Sequence, residues 1–323
     1  METPVMSIPS PFHPAILPYS AIVGQNTLKL ALELAYVEPG LLGVLISGHR
    51  GSGKSTAVRA FSMMMDGHVP VTIPINATTD RVIGGWNIPS LLQSQAQTEQ
   101  GLLEEANKKL LYIDEVNLLD DHIVNIILDV TATGLLTIQR EGRNEQSKKL
   151  NFTFVGTMNP EEGLLRPQLL DRFGLMVMPS TEDDIEIRVD ILRTLLNFNA
   201  AVESYNRDHD ITPWLQDILA NDHTRRDILN RARIDATTIV LSDDDLRRCA
   251  RIAQGFNLEG HRGDQMMALA LKASKALQSH IDDPRDHLKQ IAPLAIYHRR
   301  MESMHYGWTE EEEERLAELI YHD

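Results

Sequence analysis

The chain has 323 residues, 42% hydrophobic and 24% charged, an ordinary globular composition that excludes disordered, collagen-like and fibrous classes. Its 31 Lys and Arg against 46 Asp and Glu leave a formal net charge of −15, which repels polyphosphate backbones and argues against nucleic acid as the main partner. The length suits two domains, and the lone Cys249 excludes an intramolecular disulfide and fits a reducing compartment.

Residues 1–19 carry Pro4, Pro9, Pro11, Pro14 and Pro18, which withhold helix donors and predict an extended arm rather than a domain. From residue 20 to 180 short apolar runs alternate with helical patterns, the signal of an α/β domain with a doubly wound parallel sheet. The strand candidates are Leu41–Ser47, Val71–Ile75, Leu110–Ile113, Phe152–Thr157 and Leu175–Met178. Their consecutive apolar residues suit strands buried on both faces. After Pro179 the pattern is helical only. A helical linker is expected over 181–241, with one long helix from Glu182 to Asn197, and a C-terminal helical lid domain over 242–323. In that lid Ser242 and Asp245 have capping-box spacing for a helix over Asp243–Gln254 that stops at Gly255. Further helices are expected over Asp264–Ser279 and from Glu310, capped by Thr309, with the acidic run Glu310–Glu314 in the first turn, where it meets the positive end of the dipole. No apolar run approaches the ~20 residues of a membrane span. No basic stretch followed by an apolar run marks a leader. A soluble, cytoplasmic protein is expected.

Gly48-His49-Arg50-Gly51-Ser52-Gly53-Lys54-Ser55, followed by Thr56, matches G-x-x-x-x-G-K-[ST]. Average composition gives this pattern by chance in about 1 in 100 chains of this length. It follows an apolar strand and opens a helix, Lys54 to about Met65, so loop amides can converge on phosphate oxygens at the positive end of the helix. Lys54 would reach the β- and γ-phosphates of ATP, and the Ser55 hydroxyl would ligate Mg²⁺. The strand Leu110–Ile113 ends in Asp114-Glu115 at the carboxyl edge of the sheet, where ligands of open α/β sheets sit. Asp114 can hold Mg²⁺ through water while Glu115 polarises an attacking water. Asn159 ends the next strand at the same edge, where it can orient water or contact the γ-phosphate, though Asn before Pro is also a favoured turn pair. Arg172 precedes the last strand. It can pair with Asp171 as a surface residue, or act as a finger on the phosphate held by a neighbouring subunit.

This order of parts resembles AAA+ ATPases. More narrowly, Ile22-Val23-Gly24-Gln25, Asp80-Arg81-Val82-Ile83-Gly84, Asp114-Glu115-Val116-Asn117-Leu118-Leu119-Asp120-Asp121-His122, Asn159-Pro160-Glu161-Glu162-Gly163 and Leu165-Arg166-Pro167-Gln168-Leu169-Leu170-Asp171-Arg172-Phe173-Gly174 resemble the magnesium chelatase I-subunit family. Arg262-Gly263-Asp264 is similar to its sensor-2 segment. The resemblance runs from about Tyr19 to Arg300. It implies a homo-oligomeric, ring-forming ATPase, a hexamer in the family, that drives metal insertion into a tetrapyrrole held by a large catalytic subunit. A third, AAA+-like subunit with an integrin-like domain bridges them. By the same resemblance Lys54 and Ser55 are Walker A, Asp114 and Glu115 Walker B, Asn159 sensor 1, Arg172 the finger and Arg262 sensor 2. A helix-2 insert is implied at about 82–100 and a hairpin before sensor 1 at about 134–150. The stretches Gly51-Ser52-Gly53, Gly156-Thr157-Met158-Asn159 and Gln265-Met266-Met267 depart from the family's usual residues, and these departures leave the identity of the metal, magnesium or cobalt, open.

Two alternatives stand beside this reading. One is a MoxR-type chaperone that remodels a protein with a metal-binding integrin-like domain. The other is a nucleic-acid ring motor, supported by Arg140, Arg143, Lys148 and Lys149 but opposed by interleaved Glu141 and Glu145, absent aromatic partners and the acidic whole. The 12 histidines show no metal-ligand spacing, with His280 and His287 in a Pro-broken segment, and are expected to be solvated. Met63-Met64-Met65 reads as core filler.

Overall fold

The computed structural model describes residues 12–85, 99–138, 146–179, 183–281, 283–300 and 308–321. Pro4, Pro9 and Pro11 of the arm, most of the expected insert, and Arg140, Glu141, Arg143, Glu145 and Glu182 lie outside them.

The α/β layer contains β1 (Val44–Ser47), β2 (Val71–Ile73), β3 (Leu110–Ile113), the hairpin strands β4 (Leu135–Ile138) and β5 (Gln146–Lys149), then β6 (Thr153–Met158) and β7 (Leu175–Val177). Five strands form one parallel sheet in the order β2-β3-β6-β1-β7. Its layer helices are α1 (Asn26–Val37), α2 (Lys54–Asp66), α3 (Thr79–Ile83), α4 (Leu102–Glu105), α5 (Asp121–Thr133) and α6 (Pro167–Leu170). Every residue of β1, β3 and β7 is buried, as consecutive apolar runs require. In β6 only Thr153 is less than fully buried, and in the edge strand β2 Thr72 is exposed between the buried Val71 and Ile73.

β3 spans its expected run and β6 is shifted by one residue, whereas β1, β2 and β7 are shorter than theirs, the first two for local reasons. Pro39–Leu41 form a 3₁₀ turn and Leu42 is left-handed at φ 58°, so β1 starts at Val44 rather than Leu41. Pro74 follows β2 and has no amide to donate, which removes Ile75 from it. Gly174 admits β7 to the sheet: a Cβ there would lie 1.5 Å from the Leu41 carbonyl oxygen.

The C-terminal part is helical: α7 (Ile185–Asp208), α8 (Pro213–Asp235), α9 (Asp243–Gly255), α10 (Arg262–Leu277), α11 (Pro284–Ile296) and α12 (Glu310–Tyr321). The α9 capping box forms as its spacing predicts, and Thr309 and Glu312 cap α12 reciprocally. The long helix runs past Asn197 to a left-handed stop at His209, its start fixed by the Asp184 carboxylate, which accepts from the Glu186 amide. α10 starts two residues before the expected Asp264, so Arg262 is its first residue.

Two further helices that the sequence does not place individually are present: α8 within the stretch 181–241, and α11 in the Pro-broken segment. Pro213 and Pro284 each sit in a first turn, where the missing donor costs nothing. Burial of His287 and His298 corrects the expectation of solvated histidines. A buried network docks α8 on α1. Arg225 Nε donates to Glu33 at 2.8 Å, the Tyr19 hydroxyl donates to the same carboxylate at 3.1 Å, and the Asp222 carboxylate accepts from the Tyr19 and Ser20 amides. Met63 and Met64 pack in the core. Among the described residues no helix is long and apolar enough to cross a membrane.

Candidate functional site

The P-loop leaves the carboxyl end of β1 and enters α2 at Lys54. Gly51 and Gly53 have φ of +81° and +79°, a left-handed conformation that glycine takes freely and that a side chain disfavours. The Lys54 ammonium folds back onto the loop and donates to the His49 carbonyl at 2.8 Å and to that of Gly48. Partial burial holds its pKa below the ordinary lysine value, against the opposing pull of Asp114, Glu115 and Glu162. The first two residues after Gly48 reach across to the turn after β6: His49 Nδ1 lies 3.5 Å from Glu161, and Arg50 pairs with Glu162.

Asp114 and Glu115 leave β3 beside this loop. The Ser55 hydroxyl contacts both Asp114 carboxylate oxygens, at 3.3 and 3.4 Å. Beneath them lies a connection that the motifs do not announce. The Thr157 hydroxyl donates to Asp114 at 2.7 Å and accepts from the Glu115 amide at 3.2 Å. The Tyr112 hydroxyl donates to Ser55 Oγ at 3.0 Å and contacts Thr157 Oγ1 at 3.3 Å. Burial pushes the Tyr112 phenol well above its usual range, so it acts here as a neutral hydrogen-bonding group. Glu115 itself adopts φ 58°, left-handed and uncommon for a glutamate. Register could have revealed Thr157: Tyr112 pairs with Val155 and Ile113 with Gly156, so the next positions, Asp114 and Thr157, are neighbours.

Asn159 is 4% exposed, and its side-chain oxygen accepts from the Glu161 amide at 3.3 Å. Together Arg50, Gly51, Ser52, Gly53, Lys54, Ser55, Thr56, Asp114, Glu115, Thr157, Met158 and Asn159 line a cleft of about 280 Å³. Walker A, Walker B and sensor-1 positions therefore meet in one place.

Neither Arg172 nor Arg262 lines that cleft. Arg172 precedes β7 at the amino edge of the sheet, and its guanidinium pairs with Asp129 at 2.9 Å and donates to the Asn125 side chain at 3.1 Å, both on α5. The pairing partner considered from sequence, Asp171, is bound instead by Arg262 and Arg299. The hairpin cation Lys148 pairs with Glu104 at 2.6 Å, which leaves less positive charge on the hairpin for a nucleic acid.

The AAA domain family (dynein-related subfamily) matches residues 43–173. A crystal structure of a candidate ATPase from Cytophaga hutchinsonii superposes with a TM-score of 0.57 at 16% identity, over 87% of this chain and 83% of its own, a likeness of fold. An uncharacterized protein of Mycobacterium tuberculosis is 37% identical over 88% of this chain, which spans 44% of that longer relative. The magnesium-chelatase 38 kDa subunit of Cereibacter sphaeroides is 36% identical over 87% of this chain and 91% of its own length. On the strength of that likeness, which runs through nearly the whole of both chains, the protein belongs to the family of magnesium-chelatase 38 kDa subunits.

Proposed function

We propose that this chain is the ATP-hydrolysing motor of a metal chelatase and works as a ring of identical subunits, each nucleotide lying between two copies. The observation that carries the reading is the division of the site: P-loop, Asp114, Glu115 and Asn159 share one cleft, while Arg172 and Arg262 stand at the opposite edge of the sheet. A neighbour must then supply the arginines. By the resemblance drawn from the sequence, the ring would be a hexamer.

In this scheme the loop amides from Gly48 to Gly53 and Lys54 bind the phosphates, Glu115 orients the attacking water, and Asn159 holds that water or the γ-phosphate. The Ser55 hydroxyl and Asp114 carboxylate converge with oxygen donors alone, the chemistry that Mg²⁺ takes. When bound, the ion would neutralise charge on the phosphate oxygens. Arg172, and beside it Arg262, would approach the same phosphates from the next subunit.

The work performed would be insertion of a metal ion, magnesium or cobalt, into a tetrapyrrole held by a large catalytic subunit, with an AAA+-like subunit carrying an integrin-like domain as bridge. The likeness to the 38 kDa subunits supports this reading over a MoxR-type chaperone, and the acidic chain with its paired Lys148 disfavours a nucleic-acid motor.

The test is reconstitution: this chain replaces the 38 kDa subunit beside the bridging and porphyrin-binding subunits of an established chelatase, and metalloporphyrin fluorescence is followed. ATP-dependent formation of the product, lost in Lys54→Ala, is expected. ATP hydrolysis with no metal inserted, magnesium and cobalt both supplied, would favour a protein client.

A further inference from the structure

The turn from Asp171 to Gly174 carries Arg172, yet its backbone is held from the C-terminal helical region. Arg299, just beyond α11 and 3% exposed at its side chain, donates to the carbonyls of Asp171 at 2.9 Å, Phe173 at 2.6 Å and Gly174 at 3.1 Å. Its Nε donates to the Asp171 carboxylate at 3.3 Å. Its neighbour His298 donates from Nε2 to the Phe173 carbonyl at 2.9 Å. At the start of α10, Arg262 donates to the Asp171 carbonyl at 3.3 Å and pairs with its carboxylate. The turn lies between α6 and β7, but the groups that satisfy its carbonyls come from 91 to 128 residues later in the chain.

We propose that Arg299 is a positioning residue for Arg172: it fixes the backbone that carries that side chain, which would exchange its contacts with Asp129 and Asn125 for the phosphate of the neighbouring subunit. The inference rests on the reading of Arg172 as a finger. A guanidinium suits the task because its planar fork can meet several carbonyls at once, whereas a lysine ammonium is a point charge on a flexible stem. Burial lowers the Arg299 pKa to about 10, which leaves the group charged at neutral pH. The clamp also makes the finger a passenger of the helical region: a displacement of α10 and α11 against the sheet would move Arg172 at the neighbour's phosphate. A shift on the order of 1 Å in a catalytic group can cost ~100-fold in rate.

The experiment mixes subunits. Arg299→Lys keeps its own P-loop and Glu115 but presents a misplaced finger, whereas Glu115→Gln has an intact finger and cannot hydrolyse. Alone, Arg299→Lys is expected to bind a fluorescent ATP analogue with unchanged affinity, to keep its KM, and to lose kcat by roughly 10- to 100-fold. Mixed with Glu115→Gln it should recover activity; mixed with Arg172→Ala it should not, since neither then offers a working finger. Asp171→Asn, which loosens the same turn from the other side, should behave alike and serves if Arg299→Lys does not fold. Wild-type kcat in both variants would overturn the inference. So would failure to recover with Glu115→Gln while a control pair, Arg172→Ala with Glu115→Gln, recovers. Failure of that control pair would remove the finger reading itself, and the inference with it.

Discussion

Gly48 follows β1 and Arg172 precedes the adjacent strand β7, so the two residues stand at opposite ends of one sheet. The Leu175 amide bonds the Gly43 carbonyl at 3.2 Å, which places the turn carrying Arg172 at the level where β1 begins. Five residue steps, from Gly43 to Gly48 along β1, separate that level from the P-loop, ~17 Å at about 3.3 Å per residue, farther than an arginine side chain spans. Arg172 therefore does not reach a nucleotide held at its own P-loop.

Removal of the finger should therefore act between subunits. Arg172→Ala is expected to lower kcat by about 1000-fold or more while leaving nucleotide affinity nearly unchanged, the scale seen for arginines that meet transition-state charge. Steady-state ATP hydrolysis beside equilibrium binding of a fluorescent analogue checks both halves. An Arg172→Ala protein with normal turnover would end the finger assignment.

Thr157 offers a finer test of the cleft. Thr157→Val keeps the shape but removes the donor to Asp114 and the acceptor for the Glu115 amide, leaving a part-buried amide unpaired. With Asp114 and Glu115 no longer held in place, kcat is expected to fall by roughly 10- to 100-fold, together with a higher Mg²⁺ requirement. Thr157→Ser retains the hydroxyl and should restore both. Equal loss in Val and Ser variants would mean that packing, not the hydroxyl, matters.

Acid should weaken the fold through His298. Its Nε2 donates to a carbonyl, its Nδ1 is buried without a partner, and burial beside Arg299 holds its pKa well below 6.5. Burial also lowers His287. Below pH 6.5 the unfolded chain takes up protons that the folded chain refuses, so stability is full above that pH and falls as pH drops. For His298 the loss between pH 7.5 and 5.5 is at most about 1.4 kcal/mol. Urea midpoints at the two pH values, for wild type and His298→Gln, should show a smaller pH effect in the variant. An identical effect would contradict this origin.

Cys249 should be inert. It is buried on α9, and burial together with the nearby Asp245 and Asp264 pushes its thiol up to about 12. In the native protein a thiol reagent should leave it unmodified at pH 8, and in concentrated guanidinium one equivalent should react. Rapid labelling of the folded chain would refute the assigned burial.

The nucleotide cleft was legible in the sequence because each part is local: a glycine turn, a strand ending in two acids, a strand ending in Asn159. The central sheet was legible because β1, β3 and β7 are buried on both faces and consecutive apolar residues record that directly. Contacts between distant segments leave no such mark. Nothing near Arg299 hints that it bonds a turn around 125 residues earlier, and His287 is expected to be solvated because no metal-ligand spacing surrounds it in a Pro-broken segment, although Pro284 opens α11 and Pro293 lies within it. α8 escaped notice for another reason: only Leu215, Leu219, Asp222, Leu229 and Ala232 are buried along its 23 residues, too sparse an apolar face to read as a pattern.

The central claim is that an active site exists only where two copies of this chain meet. Its most direct test is ATP turnover per subunit, measured across a range of protein concentrations at saturating MgATP, with the mass of the particles recorded in parallel. The account predicts turnover that rises with assembly and vanishes in the monomer; a monomer that hydrolyses ATP at the full rate would contradict it.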